Sequence, residues 1–509
     1  MSGNNNSTKK LTLVTLILMI FTSVFGFANM PRSFYLMGYA AIPWYILSSL
    51  VFFIPYAFMM SEYGAAFKKE SGGMYSWMEK SVGPKYAFIG TFMWYASYII
   101  WMVNVSSSLL IPVSNFIFGT DKTATWSLFG LGSTQTLGIL GAIWIIIVTF
   151  IATRGVEKIT KITSLGGTAV AALNLVLLFG GLAVLILNKG RLAQPILGLA
   201  SFTASPNPAY STTVTILSFL VFAIFAFGGL EVIGGLVDQT ENAEKTFPKG
   251  VTIAAIVIAI GYAVGIFACG LFTNWNEVLS SETVHMGNVV YVLMNNLGYQ
   301  LGLGFGMSQA SALTLGAWVA RFVGLSMFLA LAGAFFTLTY SPLKTLIQGP
   351  PKEIWPEKWT KINDNGMPVT AMWVQCIAVV AIIIVAVITG GKSSSFLDYL
   401  ILMGNVAMTI PTMFLAIAFI YFKKNDSIDK PFIFFKSKTV ATVWAIIVTC
   451  TVGFANIFTI LQPAIESKDY VSTGFQLAGP IVFGLVAFFL ISRYEKKYGS
   501  NEDSIDKIA

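Results

Sequence analysis

The 509-residue sequence is 56% hydrophobic, 14% aromatic and only 11% charged, against a charged fraction of roughly 25% in soluble domains, so a water-soluble globule is excluded. Apolar runs of about 20 residues recur along it, the length of a helical crossing and unlike the alternation of barrel strands, and they predict an all-α integral membrane protein. The net charge of +8 is spread in short Lys and Arg clusters between those runs, which fits membrane topology and a lipid bilayer rather than nucleic acid.

The polar tail 1–10 precedes an apolar run that continues to Met30 and Pro31 with no small-residue cleavage site, so it reads as an uncleaved first crossing. Twelve spans are predicted: 11–38, 43–63, 86–118, 136–153, 162–188, 212–237, 250–274, 312–346, 369–390, 397–422, 438–462 and 472–492. With the N-terminus inside, the cytoplasmic side collects 24 Lys and Arg and the other side 6. That asymmetry predicts a multi-pass protein of the cell membrane with both termini cytoplasmic. Cys269, Cys376 and Cys450 fall inside spans and the single histidine in an external loop, so neither a disulfide framework nor a metal site is expected, and no cofactor.

Two spans carry features that a plain crossing does not need. In the first, Gly26 and Pro31 lie five apart within FTSVFGFANMPRSF, beside Thr22, Ser23 and Asn29; proline removes a backbone donor and glycine relaxes the chain next to it. In the sixth, Gly228, Gly229, Gly234 and Gly235 surround Glu231. Each glycine weakens a helix by roughly 1 kcal/mol, and an acid deep in a membrane costs about 3 kcal/mol. Either segment taken alone could be a kinked or closely packed helix. Their positions, first and sixth, make them corresponding members of two five-helix halves, which predicts inverted repeats with discontinuous helices 1 and 6 meeting at the midplane. Opened helix ends present N–H groups to a carboxylate and C=O groups to an ammonium, a site for an amino acid.

On FGFANMP in span one, SEYGAAFKKESGGMYSWMEKSVGPKYAFIG after span two, FAFGGLEVIGGLVDQTENAEKTFPKG in span six and SPLKTLIQGPPKEIWPEKWTKINDNGMPVT after span eight, the chain resembles the amino acid-polyamine-organocation superfamily. Within it the resemblance is to the glutamate:GABA antiporter branch and its YjeM-like relatives. It implies a LeuT-like 5+5 inverted repeat of twelve transmembrane helices: tail 1–10, first repeat 11–188, second repeat 212–422, two further crossings 438–492 and a cytoplasmic tail 493–509. It implies amino acid transport by exchange, with a small-molecule amino acid as partner. The matching positions make Gly26 the last glycine of the family's first-span turn, Phe225 the aromatic gate and Glu231 the acid of its G-x-E, with protons as a further candidate partner. Val24 and Phe25 replace the rest of the glycine turn. Where some families place a coupling lysine in span five, this chain has Val170, which points away from that mechanism and towards exchange.

The expected substrate-binding set is therefore Ser23, Gly26, Phe27, Ala28 and Asn29 on span one, Phe225, Phe227, Gly228 and Gly229 on span six, and Asn104 on span three. Glu231, Phe225 and Arg321 are the expected coupling and gating residues. Arg321 lies about 14 Å from the midplane by helical rise, near the outer edge of the core, where it either snorkels or serves an outer vestibule. Thr337 and Thr339 are weaker cavity candidates. Glu62 reads as a cytoplasmic anchor, the acids of DQTENAE as an inner gate or solvated helix end, and 274–310 as an external amphipathic connector with a short surface helix, with a gating role as the alternative. The expected function is a secondary amino acid antiporter working by alternating access, not an enzyme. A proton-coupled symporter is the alternative, and a channel or polytopic enzyme lacks the filter or the clustered catalytic side chains it would need.

Overall fold

The computed structural model describes residues 10–388 and 394–499. The tail through Lys9, the end of span nine with Lys392, and the chain from Ser500 onward lie outside the described residues.

Eleven stretches among the described residues are long and apolar enough to cross a membrane, and the first, Leu13–Ala66, is 54 residues long. One crossing needs about 20, so this stretch holds two. They are separated at Gly38, whose φ of +55° favours glycine. The first crossing is α1 (Leu13–Val24) and α2 (Asn29–Met37). The second is α3 (Ala41–Ser48) and α4 (Ile54–Ala66), joined through a π-helical turn at Ser49–Phe53. A short helix, α5 (Gly73–Ser81), leads into α6 (Pro84–Ser108) and α7 (Leu110–Phe118), the third crossing. The fourth and fifth are α8 (Ser133–Ala152) and α9 (Val156–Leu187).

The sixth crossing is α10 (Thr213–Phe225) followed by a 3₁₀ stretch, Leu230–Gln239, and the seventh is α11 (Ala243–Phe272). Beyond them come α12 (Val289–Gly304), the eighth crossing α13 (Gln309–Gln348), the short α14 (Glu357–Thr360) and the ninth crossing α15 (Val369–Ile388). The last three crossings are α16 (Ser394–Lys424), α17 (Lys438–Ser467) and α18 (Tyr470–Tyr498). All twelve predicted spans find a helical counterpart, and the first and sixth are broken at the predicted places.

Packing follows the apolar surface. Phe179, Leu182 and Ile186 on α9, Ile256, Val257 and Ile260 on α11 and Leu485, Phe488 and Phe489 on α18 are exposed, as a lipid-facing surface requires. The inner faces of α1, α2, α4, α10 and α11 form one continuous buried cluster around the two breaks. The chain just before α1 is fastened to the end of the sixth crossing: Leu11 N–H donates to Gln239 O at 2.8 Å and Glu241 N–H to Leu11 O at 2.9 Å.

The segment 274–310 departs from the expected surface connector. Its helix α12 buries Val289, Val290, Leu293, Met294 and Leu297, and the loop before it docks on the outer half of the first crossing. Arg32 Nε donates to Met286 O at 3.0 Å, Tyr35 Oη to Val284 O at 3.0 Å, and Trp275 Nε1 to Tyr35 O at 2.8 Å. Arg32, one of the six Lys and Arg counted on the external side, is thus a residue of α2.

Candidate functional site: two broken helices joined at their gaps

Between α1 and α2 the chain opens at Phe25–Ala28, and between α10 and the 3₁₀ stretch at Ala226–Gly229. The gaps touch. Gly229 has φ +104°, and a Cβ there would stand 2.6 Å from the carbonyl oxygen of Ser23, so the sequence needs glycine both for the backbone conformation and for the close approach. Gly26 is exposed although its neighbours Phe25 and Phe27 are buried.

A hydroxyl from the seventh crossing ties the gaps together. Tyr262 Oη accepts from Gly26 N–H at 3.0 Å and from Asn29 Nδ2 at 3.3 Å. It lies 3.0 Å from Ala226 O and 3.3 Å from Val24 O, and so donates its one proton best to Ala226. What remains unpaired is informative. Among the described residues the N–H groups of Phe27 and Ala28 and the C=O groups of Phe227 and Gly228 take part in no hydrogen bond. Unsatisfied peptide groups inside a membrane cost several kcal/mol each and are tolerated where they line a cavity.

Glu231 follows the second gap and is 4% exposed. Tyr56 Oη on α4 donates to its Oε1 at 2.9 Å, and Thr412 Oγ1 on α16 donates to the same oxygen at 2.5 Å. Both donors converge on Oε1, and Oε2 accepts neither of them.

The 3₁₀ half is sustained from outside. Short 3₁₀ bonds are poorer than α-helical ones, and α13 supplies the missing donors: Ser341 Oγ to Val232 O at 2.5 Å and Lys344 Nζ to Gly235 O at 3.1 Å. Lys344, 3% exposed in its side chain, also pairs with both oxygens of Asp238 at 2.7 and 2.8 Å. Lys344, inside the predicted span 312–346 yet one of the 24 Lys and Arg counted on the cytoplasmic side, is buried within the crossing. Asp238 is correspondingly a partner of the eighth crossing, while Glu244 pairs with Lys68.

The remaining sequence candidates are placed as follows. Ser23 Oγ donates to its own helix at Met19 O, 2.9 Å, so its carbonyl rather than its hydroxyl meets the second gap. Phe27 and Ala28 are buried. Phe225 is the half-buried last residue of α10. Phe227 is not at the opening: its ring stacks on Phe53 at 4.7 Å and meets Tyr262 edge-on at 5.1 Å. Asn104 sits half-buried on α6, and its side chain makes no hydrogen bond to either gap among the described residues.

Arg321 lies 5.0 Å over the Trp318 ring and reaches Phe118 O at 3.4 Å. There it meets the negative end of α7 and serves as a helix-end cation. Thr337 bonds Gly333 O and Thr163, and Thr339 lies against Met102 Sδ. Glu62 is fully buried rather than interfacial, paired with Lys423 at 2.7 Å, because the chain after α16 folds over the end of α4.

The match to known proteins agrees with this geometry. A family model described as amino acid permease matches residues 11–488. The chain belongs to the amino acid permease family. The permease is 53% identical to the inner membrane transporter YjeM of Escherichia coli over 97% of this chain and 98% of that one. It is 25% identical to the aspartate/glutamate permease AcaP of Lactococcus lactis over 97% and 98% of the two chains. Among solved structures, a point mutant of the Eremococcus coleocola manganese transporter superposes with a TM-score of 0.58 at 14% identity, covering 97% of each chain, a likeness of fold alone. The fold of the permease is the LeuT-like 5+5 inverted repeat with discontinuous helices 1 and 6. As a permease it moves its substrate across the membrane rather than transforming it.

Proposed function

We propose that the permease is a secondary amino acid antiporter, exchanging amino acids or close derivatives across the cell membrane by alternating access. The observation that carries this reading is the pair of facing gaps, with unpaired N–H groups at Phe27 and Ala28 and unpaired C=O groups at Phe227 and Gly228. The first set suits a carboxylate at the start of a half-helix, the second an ammonium. Backbone from Ser23 to Asn29 holds the acid end, backbone from Ala226 to Gly229 the amino end, and Phe225 closes over the substrate. The two repeats, 11–188 and 212–422, rock against one another, with both termini in the cytoplasm as the Lys and Arg asymmetry indicates. The location fits the inner membrane transporters that the chain resembles. Exchange is favoured over lysine-coupled symport by Val170, buried on α9, where such a lysine would stand.

Glu231 is the coupling acid. Both of its donors take Oε1, and exchange should respond to pH through this carboxyl. In proteoliposomes preloaded with each amino acid or its decarboxylation product, competition against uptake across pH identifies the substrate and tests the mode. Glu231→Gln is expected to flatten the pH profile of exchange while substrate binding stays detectable; a wild-type profile in that variant would remove Glu231 from coupling. The bonding of Glu231 also supports a second mode, proton symport. Uphill uptake into empty vesicles driven by a pH gradient would establish symport in place of exchange.

A further inference from the structure

We infer that Tyr262 is a positioning residue that sets the distance between the two halves of the substrate site and thereby selects α-amino acids over β- and γ-amino acids. The inference rests on the proposed function and adds to it a specificity element on a third crossing.

The hydroxyl of Tyr262 is taken up by Gly26 and Ala226 in the gaps and by Val24 and Asn29 beside the first of them. Gly26 N–H and Ala226 O each lie 3.0 Å from it, so these two peptide groups, one per gap, stand within twice that distance of each other. The ring that carries the hydroxyl has no freedom to follow a moving gap. Tyr262 is fully buried, and its ring is held by Phe25 at 4.8 Å, Tyr45 at 5.0 Å and Phe227 at 5.1 Å. The first of these opens the first gap and the last lies within the second. Asn29 Nδ2 adds a bond from the start of α2.

Consequently the unpaired groups next in sequence, Phe27 and Ala28 N–H on one side and Phe227 and Gly228 C=O on the other, are held at a fixed separation. In an α-amino acid the nitrogen and the carboxyl carbon are two bonds of about 1.5 Å apart. Each added methylene lengthens the reach, and a γ-amino acid satisfies both sets only if the gaps spread. With Tyr262 bridging them, spreading breaks the bond to Ala226 O in a medium that offers no replacement, while the Gly26 N–H falls back on its second acceptor, Val24 O at 3.1 Å.

The test uses the full-length protein in proteoliposomes, with counterflow of the α-amino acid that the wild type exchanges fastest. The competitors are two isomeric pairs, α-alanine with β-alanine and α-aminobutyrate with γ-aminobutyrate. The wild type should be inhibited far better by the α-isomer of each pair. Tyr262→Phe keeps the ring and its packing and loses the bridge; it should lower the ratio of γ- to α-inhibitory concentrations about tenfold, the factor expected for one or two hydrogen bonds.

Tyr45→Phe is the control. It removes a hydroxyl from the same aromatic cluster, but one that bonds Ser33 at 2.9 Å and neither gap, and the ratio should stay at the wild-type value. A general loosening of the cluster would move the ratio in both variants and overturn the inference, as would a wild-type ratio in Tyr262→Phe. If Tyr262→Phe does not fold, equal inhibition of the wild type by α- and γ-isomers still overturns it. Absence of any amino acid counterflow in the wild type removes the functional reading itself, and is thereby distinguished from failure of the spacing argument.

Discussion

Lys423→Met should destabilise the permease by about 3–5 kcal/mol, the usual consequence of stranding one member of a buried ion pair. Glu62 is fully buried and Lys423 is 4% exposed, with Nζ 2.7 Å from Oε2. The other carboxylate oxygen, Oε1, accepts the backbone N–H groups of Phe434 and Phe435 at 2.9 and 2.8 Å, and the Phe434 ring stacks on Phe58 with centroids 3.4 Å apart. One carboxylate therefore fastens α4, α16 and the chain that follows α16. Removing the lysine leaves that carboxylate buried with amide donors alone. A loss of this size is a large part of the roughly 5–15 kcal/mol typical of a folded domain, and should appear as a collapse of the monodisperse peak and of the melting temperature in detergent. Glu62→Gln combined with Lys423→Met removes both charges while the side-chain amide oxygen that replaces the carboxylate still accepts the two backbone bonds, and should recover most of the loss. Equal stability of Lys423→Met and the wild type would show that the pair contributes little.

Gly229→Ala should reduce exchange by more than about tenfold while the protein still inserts and purifies. Two effects add at this position. The backbone stands at φ +104° and ψ 1°, a conformation costing an L-residue about 1–2 kcal/mol. The new methyl would also lie 2.6 Å from Ser23 O, and the opposing group is backbone, which has no rotamer to escape into. The gaps must then separate, which takes Ala226 O and Gly26 N–H away from Tyr262. Gly228→Ala is the contrast: its nearest neighbour would be Phe225 O at 3.2 Å, and its φ is not positive. It should be much milder. Counterflow rates at matched protein density decide, and equal rates in wild type and Gly229→Ala would mean that the close approach of the gaps has no part in transport.

The breaks themselves were legible because their causes are local. Gly26 and Pro31 loosen one helix, and the glycines around Glu231 loosen the other; both signals sit within a few residues of the gap they produce. Glu231 was legible for a similar reason, as a charge inside an apolar run. Its partners were not. Tyr56 and Thr412 are ordinary residues of their own helices, and only the fold brings them to one carboxylate oxygen.

Tyr262 is the clearest loss: it stands in the apolar run IAIGYAVGIF and meets Gly26 from 236 positions away, with only its hydroxyl amid aliphatic neighbours to mark it. Lys344 and Glu62 mislead through position near predicted helix ends, where charges ordinarily reach water. Here α13 runs on to Gln348 and α4 to Ala66, and each charge found a buried partner instead. Arg321 was read as snorkelling or as serving an outer vestibule; its contact with the end of α7 at Phe118 O was invisible from the sequence.

The most direct measurement is an experimental structure of the protein with the most effective α-amino acid competitor bound. The account predicts density between the two gaps, with the carboxylate within hydrogen-bonding distance of Phe27 and Ala28 N–H and the ammonium on the carbonyls of Phe227 and Gly228. Density for the ligand away from the gaps, or first and sixth crossings that run as continuous helices, would contradict it.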